Sequence, residues 1–116
     1  MLAPLSWKSM PGVLPVLVIP CMGVRLGLPL TCVAEVFRPL PTTNVPGAPD
    51  FVLGMAQVRG EATVVLDLNR LLGADKGVEA QRYVRLRVDK RSAVLAVEGA
   101  SELQGLDSDA LKALPP

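Results

Sequence analysis

The side chains that most often carry chemistry are scarce in this sequence. It contains no histidine, so the usual general base at neutral pH and the commonest metal ligand are both missing. Ser-His-Asp and Cys-His triads therefore cannot be assembled within the chain. Two cysteines, Cys21 and Cys32, fall short of the four ligands that a structural zinc site needs. Both lie in apolar, strand-like sequence, and free cysteine packs as a small hydrophobe; reduced, buried thiols of a cytoplasmic protein are expected. Asp67 precedes Leu68-Asn69-Arg70, where a carboxylate caps the amides of a short helix more readily than it acts as a catalytic acid. The expectation is a protein that is no enzyme and holds no cofactor or metal.

The remaining polar candidates are cations. Arg59-Gly60-Glu61 is a glycine-containing hairpin signal between two apolar runs, which places Arg59 at a turn tip, either solvated or facing a partner. Arg82, Arg85, Arg87, Lys90 and Arg91 form a basic stretch that can contact phosphates. Against that reading, four aromatic residues (one Trp, one Tyr, two Phe) leave few stacking platforms for single strands, and a solvated strand face accounts for the same residues. A small basic-faced β-barrel binding nucleic acid is the alternative function; an interaction scaffold that binds no nucleic acid is the leading one.

The elements that carry these residues follow from the distribution of proline and apolar side chains. At 50% hydrophobic and 20% charged, with 12 Lys and Arg against 11 Asp and Glu, the composition suits a single globular domain without general attraction to polyanions. Nine of the 11 prolines lie at or before Pro49 and the other two end the chain, so helix has little room in the first half. Lys8 with Met10 to Val24 superficially resembles a signal peptide. Pro11, Pro15 and Pro20 interrupt it and Arg25 ends it at a length too short to span a bilayer. Residues 1–15 are expected to be a flexible leader and residues 16–116 a single domain.

Val16 to Met22 is a continuous apolar run, and Val24, Leu26, Leu28 and Leu30 alternate with Arg25, Gly27 and Pro29, which predicts a strand pair turning near Gly23. Thr31 to Phe37 continues as strand. Arg38 to Pro49 is a proline loop, and Asp50 to Leu53 is expected as one helical turn. Met55 to Val58 and Ala62 to Leu66 flank the Arg-Gly hairpin, Leu68 to Leu72 forms a short helix, and Gly73 stops it. Gly73 to Gln81 is a polar connector. In the next strand Val84, Leu86 and Val88 face one way and Tyr83, Arg85 and Arg87 the other; Asp89 to Ser92 turns the chain, and Ala93 to Val97 returns. After Gly99 the sequence becomes acidic, with a final helical turn expected from Asp107 or Ser108.

Shifting the chain by 67 positions places Leu17, Ile19, Leu28, Leu30, Glu35 and Val36 on Val84, Leu86, Leu95, Val97, Glu102 and Leu103. The pattern is that of one and a half copies of a strand-rich unit.

The segment from Asn44 to Gly73, NVPGAPDFVLGMAQVRGEATVVLDLNRLLG, resembles the CheW-like domain of bacterial chemosensory systems. The match is an ordered series: a Val-Pro-Gly-Ala-Pro loop, a Leu-Gly strand, an Arg-Gly hairpin, a Val-rich strand ending in Asp-Leu and a Leu-Leu-Gly helix. It continues more weakly over Leu17 to Leu40 and Tyr83 to Pro116. The family commonly has proline where this chain has Val64, and it extends past the point matched by Pro116. Among its members the chain looks most like the short form of the Frz system.

The resemblance implies a mostly β fold of two small SH3-like barrels, here with the C-terminal strands missing, and a non-enzymatic chemosensory adaptor in the cytoplasm. It also implies a receptor-facing region containing Val33, Glu35, Arg59 and Gly60, with Glu35 and Arg59 as a charge pair. The expected partner is a methyl-accepting chemoreceptor; a full-length CheW-like protein, a CheA-type histidine kinase, or a second copy paired through an open sheet edge are further candidates. Because the family's kinase contacts join barrel to barrel, an incomplete barrel implies an accessory form with weak or absent kinase binding.

Overall fold

The computed structural model describes residues 15–103. The apolar run at its start forms β1 (Val16–Cys21), and Met22-Gly23, both with positive φ, turn it into β2 (Val24–Pro29). A single 3-10 turn, Leu30–Cys32, stands where continued strand is expected, and β3 (Val33–Phe37) follows it. After the proline loop come β4 (Val52–Val58), β5 (Glu61–Asp67), the one-turn helix α1 (Leu68–Leu71), β6 (Arg82–Val88), β7 (Arg91–Val97) and β8 (Ser101–Leu103). The fold is mostly β. The helical turn expected over Asp50 to Leu53 is not formed. The Val52 amide closes a turn onto Pro49 O, Phe51 O accepts the Asp67 amide at 2.7 Å, and β4 begins at Val52, because pairing with β5 satisfies backbone groups that an isolated helical turn leaves open. The final turn expected beyond Asp107 lies outside the described residues.

The eight strands of the described residues form two sheets, one of three strands in the order β2-β1-β8 and one of five in the order β3-β6-β7-β5-β4. All neighbours are antiparallel except β5 and β7. The strands β6 and β7 are apolar on both faces where they cross the middle of the molecule. Tyr83, Val94 and Ala96 point into the curl of the five-stranded sheet with Ala56, Val58 and Val65. Their neighbours Val84, Leu95 and Val97 point outward against Leu17, Ile19 and Cys21 of β1 and Leu68 of α1. Tyr83 is thus a core residue on the face expected to be basic, its hydroxyl donating to Leu40 O at 3.3 Å and its ring edge-on to Phe37.

The offset of 67 reappears in the pairing. Leu17 lies opposite Leu28 in the β1–β2 hairpin, and Val84 and Leu95, each 67 residues on, lie opposite one another in β6–β7. The third strand of each copy is exchanged: β3 pairs with β6, and β8 pairs with β1. The β4–β5–α1 segment has no counterpart among the described residues.

The proline loop is tied across β4 at one point. Thr43 and Met55 exchange both backbone hydrogen bonds, at 2.8 and 2.9 Å. Gly54 beside them has φ 148, and a Cβ there would collide with the Thr43 carbonyl and touch the Thr42 side chain at 3.2 Å. Gly54→Ala combines an unfavourable backbone region with overpacking against main chain, and should cost about 2 to 4 kcal/mol, lowering the thermal midpoint by roughly 10 °C or more. Gly27, with open space around its Cβ position, should accept alanine within about 0.5 kcal/mol; thermal unfolding of the two variants side by side checks the contrast.

Candidate functional site

Arg59 and Gly60 are the two central residues of the β4–β5 hairpin, with φ 52 and 80. A two-residue turn with both φ values positive matches the twist of the flanking strands. Glycine adopts that conformation freely, whereas an arginine there costs about 1 kcal/mol. The return on that cost is position. The Arg59 side chain reaches from the hairpin tip across to β3, where Nε donates to Glu35 Oε1 at 2.9 Å and Nη2 to Oε2 at 3.0 Å. This is a bidentate, charge-assisted fork, and it joins the tip of the β4–β5 hairpin to β3 at the opposite edge of the five-stranded sheet.

Glu35 is brought there by an irregularity in β3. Val33 lies opposite Leu86 and Glu35 opposite Arg85, so two steps along β3 match one step along β6. Ala34 is the extra residue of a β-bulge. In a regular strand Val33 and Glu35 would share a face; the bulge puts them on opposite ones. Val33 is half-buried with Leu86 against the layer between the sheets, and only Glu35 joins Arg59. Of the four candidate residues the structure brings Glu35, Arg59 and the turn-forming Gly60 together, and leaves Val33 in the packing layer.

Arg85 is the member that sequence reasoning missed. Its Nε donates to Glu35 Oε1 at 3.0 Å, so Glu35 lies between two guanidinium groups. The exposures differ: the Arg85 side chain is 13% exposed, Glu35 22% and Arg59 72%. Alternation along β6 placed Arg85 on a polar face, but no signal in the sequence told which strand it would oppose. Its engagement with Glu35 removes it from the basic stretch as a free cation, and Arg82 turns back to donate to Gln81 O at 2.7 Å. Arg87, Lys90 and Arg91 remain exposed.

The other polar candidates have structural work. Asp67 is 2% exposed; its Oδ1 accepts from the Arg70 amide at 3.0 Å, capping α1, and its Oδ2 accepts from the Val78 amide at 2.9 Å. Both cysteines are free. Cys21 is buried and its thiol donates to Asn69 Oδ1 at 3.4 Å; burial, then Glu98 and Asp67, push its pKa up, which suppresses the reactive thiolate. Cys32 is half-exposed rather than buried, because it ends the 3-10 turn instead of lying within a strand.

A CheW-like domain matches residues 15–116. The chain belongs to the CheW-like domain family. Its fold is similar to the crystal structure of the scaffolding protein TtCheW from Thermoanaerobacter tengcongensis, with a TM-score of 0.73 and 25% sequence identity over 86% of this chain and 68% of that one. None of the curated proteins matches the chain in sequence. CheW-like scaffolding proteins are non-enzymatic adaptors of chemotaxis signal transduction, and this CheW-like domain is one of that class. No described helix is long and apolar enough to cross a membrane.

The hydrogen bonds from Arg59, with the one from Arg85 and the attraction of both charges, outweigh partial burial and hold the Glu35 carboxyl below its ordinary pKa. A carboxyl whose folded pKa is lowered contributes stability that is fully present above its unfolded value, about 4.3, and that is lost as pH falls through the lowered folded value. Carbon-13 titration should therefore place Glu35 below about 4.3, and Glu35→Gln should flatten the acid limb of the stability curve below that pH. A titration midpoint at or above the ordinary value would mean that the ion cluster does not persist in solution.

Proposed function

We propose that this CheW-like domain is a chemosensory adaptor whose receptor-facing surface is built around Glu35, Arg59 and Gly60. The observation that carries this reading is the fork at the hairpin tip. An exposed ion pair contributes only about 0 to 1 kcal/mol of stability, yet Arg59 is held in a left-handed turn conformation to make one. That expenditure is understandable when the guanidinium must be presented at a fixed place and angle. Val33 contributes from behind, as packing under β3. The partner is the cytoplasmic part of a methyl-accepting chemoreceptor, and the adaptor's place is the cytoplasm, where such a partner exposes its signalling region. The nucleic-acid alternative is weakened by the commitment of Arg85 to Glu35.

The finer reading is an accessory adaptor. Among the described residues one sheet has five strands and the other three, with β2 and β8 at its edges. A barrel-to-barrel contact with a CheA-type kinase gains from two rigid, closed faces, since preordered surfaces lose less entropy on docking. Edge strands of that kind instead suit pairing with a full-length CheW-like protein or with a second copy. The kinship with the Frz short form stands or falls with this accessory role.

Arg59→Ala should weaken association with the receptor's cytoplasmic fragment at least tenfold while shifting the thermal midpoint by no more than about 5 °C, as expected for an exposed pair; equal binding by wild type and variant would remove the site assignment. Calorimetry against the regulatory domain of the cognate kinase tests the accessory role. Binding weaker than about 100 μM is expected, and a dissociation constant near 1 μM, about 8 kcal/mol, would make this an ordinary coupling protein.

A further inference from the structure

The ion cluster is not charge-balanced. Glu35 carries one negative charge, and Arg59 and Arg85, both within 3.0 Å of its Oε1, carry two positive ones. A simple Glu35–Arg59 pair would be neutral and would favour neither sign in a partner. Arg85 converts it into a site with one surplus positive charge. The nearest carboxylate along the hairpin, Glu61, is exposed and forms no ion pair with either arginine among the described residues.

The donor geometry points the same way. An arginine offers two bidentate edges, one made by Nε with one Nη and one made by the two Nη groups. Glu35 occupies the first edge of Arg59 through Nε and Nη2. The second edge is left on a side chain that is 72% exposed, with its plane already fixed by Glu35. Arg85 donates only through Nε to the same carboxylate. Glu35 itself accepts three hydrogen bonds, nearly filling the acceptor positions of a carboxylate, so it has little left for a partner's cation, which the surplus charge would repel in any case.

We infer that Glu35, Arg59 and Arg85 together form a recognition site for a carboxylate of the partner protein, an Asp or Glu that docks on the outer edge of Arg59, and that Arg85 is the positioning residue that gives the site its sign. This rests on the reading of the Arg59 surface as receptor-facing, and it names the chemistry of that contact. Arg85 is mostly covered and acts through Glu35: it anchors the carboxylate from below while Arg59 is read from above. Its positive charge lowers the cost of bringing a second carboxylate beside Glu35, since two carboxylates around a single guanidinium would repel one another.

The test is binding of the full chain to a recombinant cytoplasmic fragment of a cognate chemoreceptor over a series of salt concentrations. Wild-type binding should weaken as salt rises, as screening of an exposed charge contact requires. Arg85→Gln should reduce affinity at least tenfold at low salt and flatten the salt dependence. Arg85→Lys, which restores the charge without the planar fork, should recover most of that loss. A receptor fragment whose tip Asp and Glu are changed to Asn and Gln should bind the wild type at least tenfold more weakly, a comparison that does not depend on how the Arg85 variants fold. If Arg59→Ala impairs binding while Arg85→Gln matches the wild type in affinity and salt slope, or if the amide-substituted fragment binds undiminished, the carboxylate site is overturned and the receptor surface stands. If Arg59→Ala also binds as wild type, both are overturned.

Discussion

The constraint on which this molecule depends is the burial of the β6–β7 hairpin on both faces. A strand alternates its side chains between faces, so a strand with one wet face needs only every second residue to be apolar. From Val94 to Val97 all four residues are buried. Val94 and Ala96 fill the curl of the five-stranded sheet, while Leu95 and Val97 form the floor on which the three-stranded sheet rests. At about 1.5 to 3 kcal/mol for each fully buried aliphatic side chain, this short segment supports both clusters at once. A polar substitution in it would damage two packing surfaces. The rest of the chain is arranged around that shared wall: β1 and α1 close one side, β4 and β5 the other.

A polar cluster can form beside such a wall only where the regular pattern is broken, and two breaks cooperate here. The bulge at Ala34 rotates Glu35 off the face that holds Val33, and the left-handed turn at Arg59-Gly60 delivers a guanidinium from the other edge of the same sheet. Arg85 needs no irregularity; it is the ordinary polar neighbour of Val84 on β6, positioned by the same alternation that buries Val84. The site is therefore rigid for reasons that lie in the core. The Cα positions of Glu35 and Arg59 are fixed by the pairing of β3 with β6 and by the two-residue hairpin, and the bidentate fork holds the two side chains to one another.

What was legible in the sequence follows the range over which each feature is decided. The hairpins β1–β2, β4–β5 and β6–β7 are local, marked by apolar runs or alternation on either side of Gly23, Arg59-Gly60 and the turn expected over Asp89 to Ser92; the turns form at those places, the last one shorter than expected because β7 already begins at Arg91. The capping role of Asp67 is equally local. The 3-10 turn at Leu30–Cys32 and the start of β4 at Val52 were misread, since both depend on backbone partners far away in sequence. The pairing of β3 with β6 is the clearest case: Glu35 and Arg85 are 50 residues apart, nothing in either segment names the other, and a one-residue bulge decides which side chains meet. Resemblance to the family supplied Val33, Glu35 and Arg59 together, and the bulge places Val33 on the face opposite to the one that carries Glu35.

The internal repeat also explains why there is one such cluster among the described residues. Moving back by 67 positions, Arg85 falls on Val18, and Glu102 is the counterpart of Glu35. In the exchanged pairing β8 meets β1 with Glu102 opposite Leu17 and Ser101 opposite Val18, so the acidic position recurs while the basic one is replaced by a buried valine. Arg59 has no counterpart among the described residues, where the β4–β5 segment occurs once. The repeat thus comprises the hairpin and the exchanged third strand, the parts that bury apolar surface. The charge cluster arises from one copy alone, at the place where the unrepeated hairpin folds back over it, and the two sheets are consequently alike in packing and unlike in what they present to a partner.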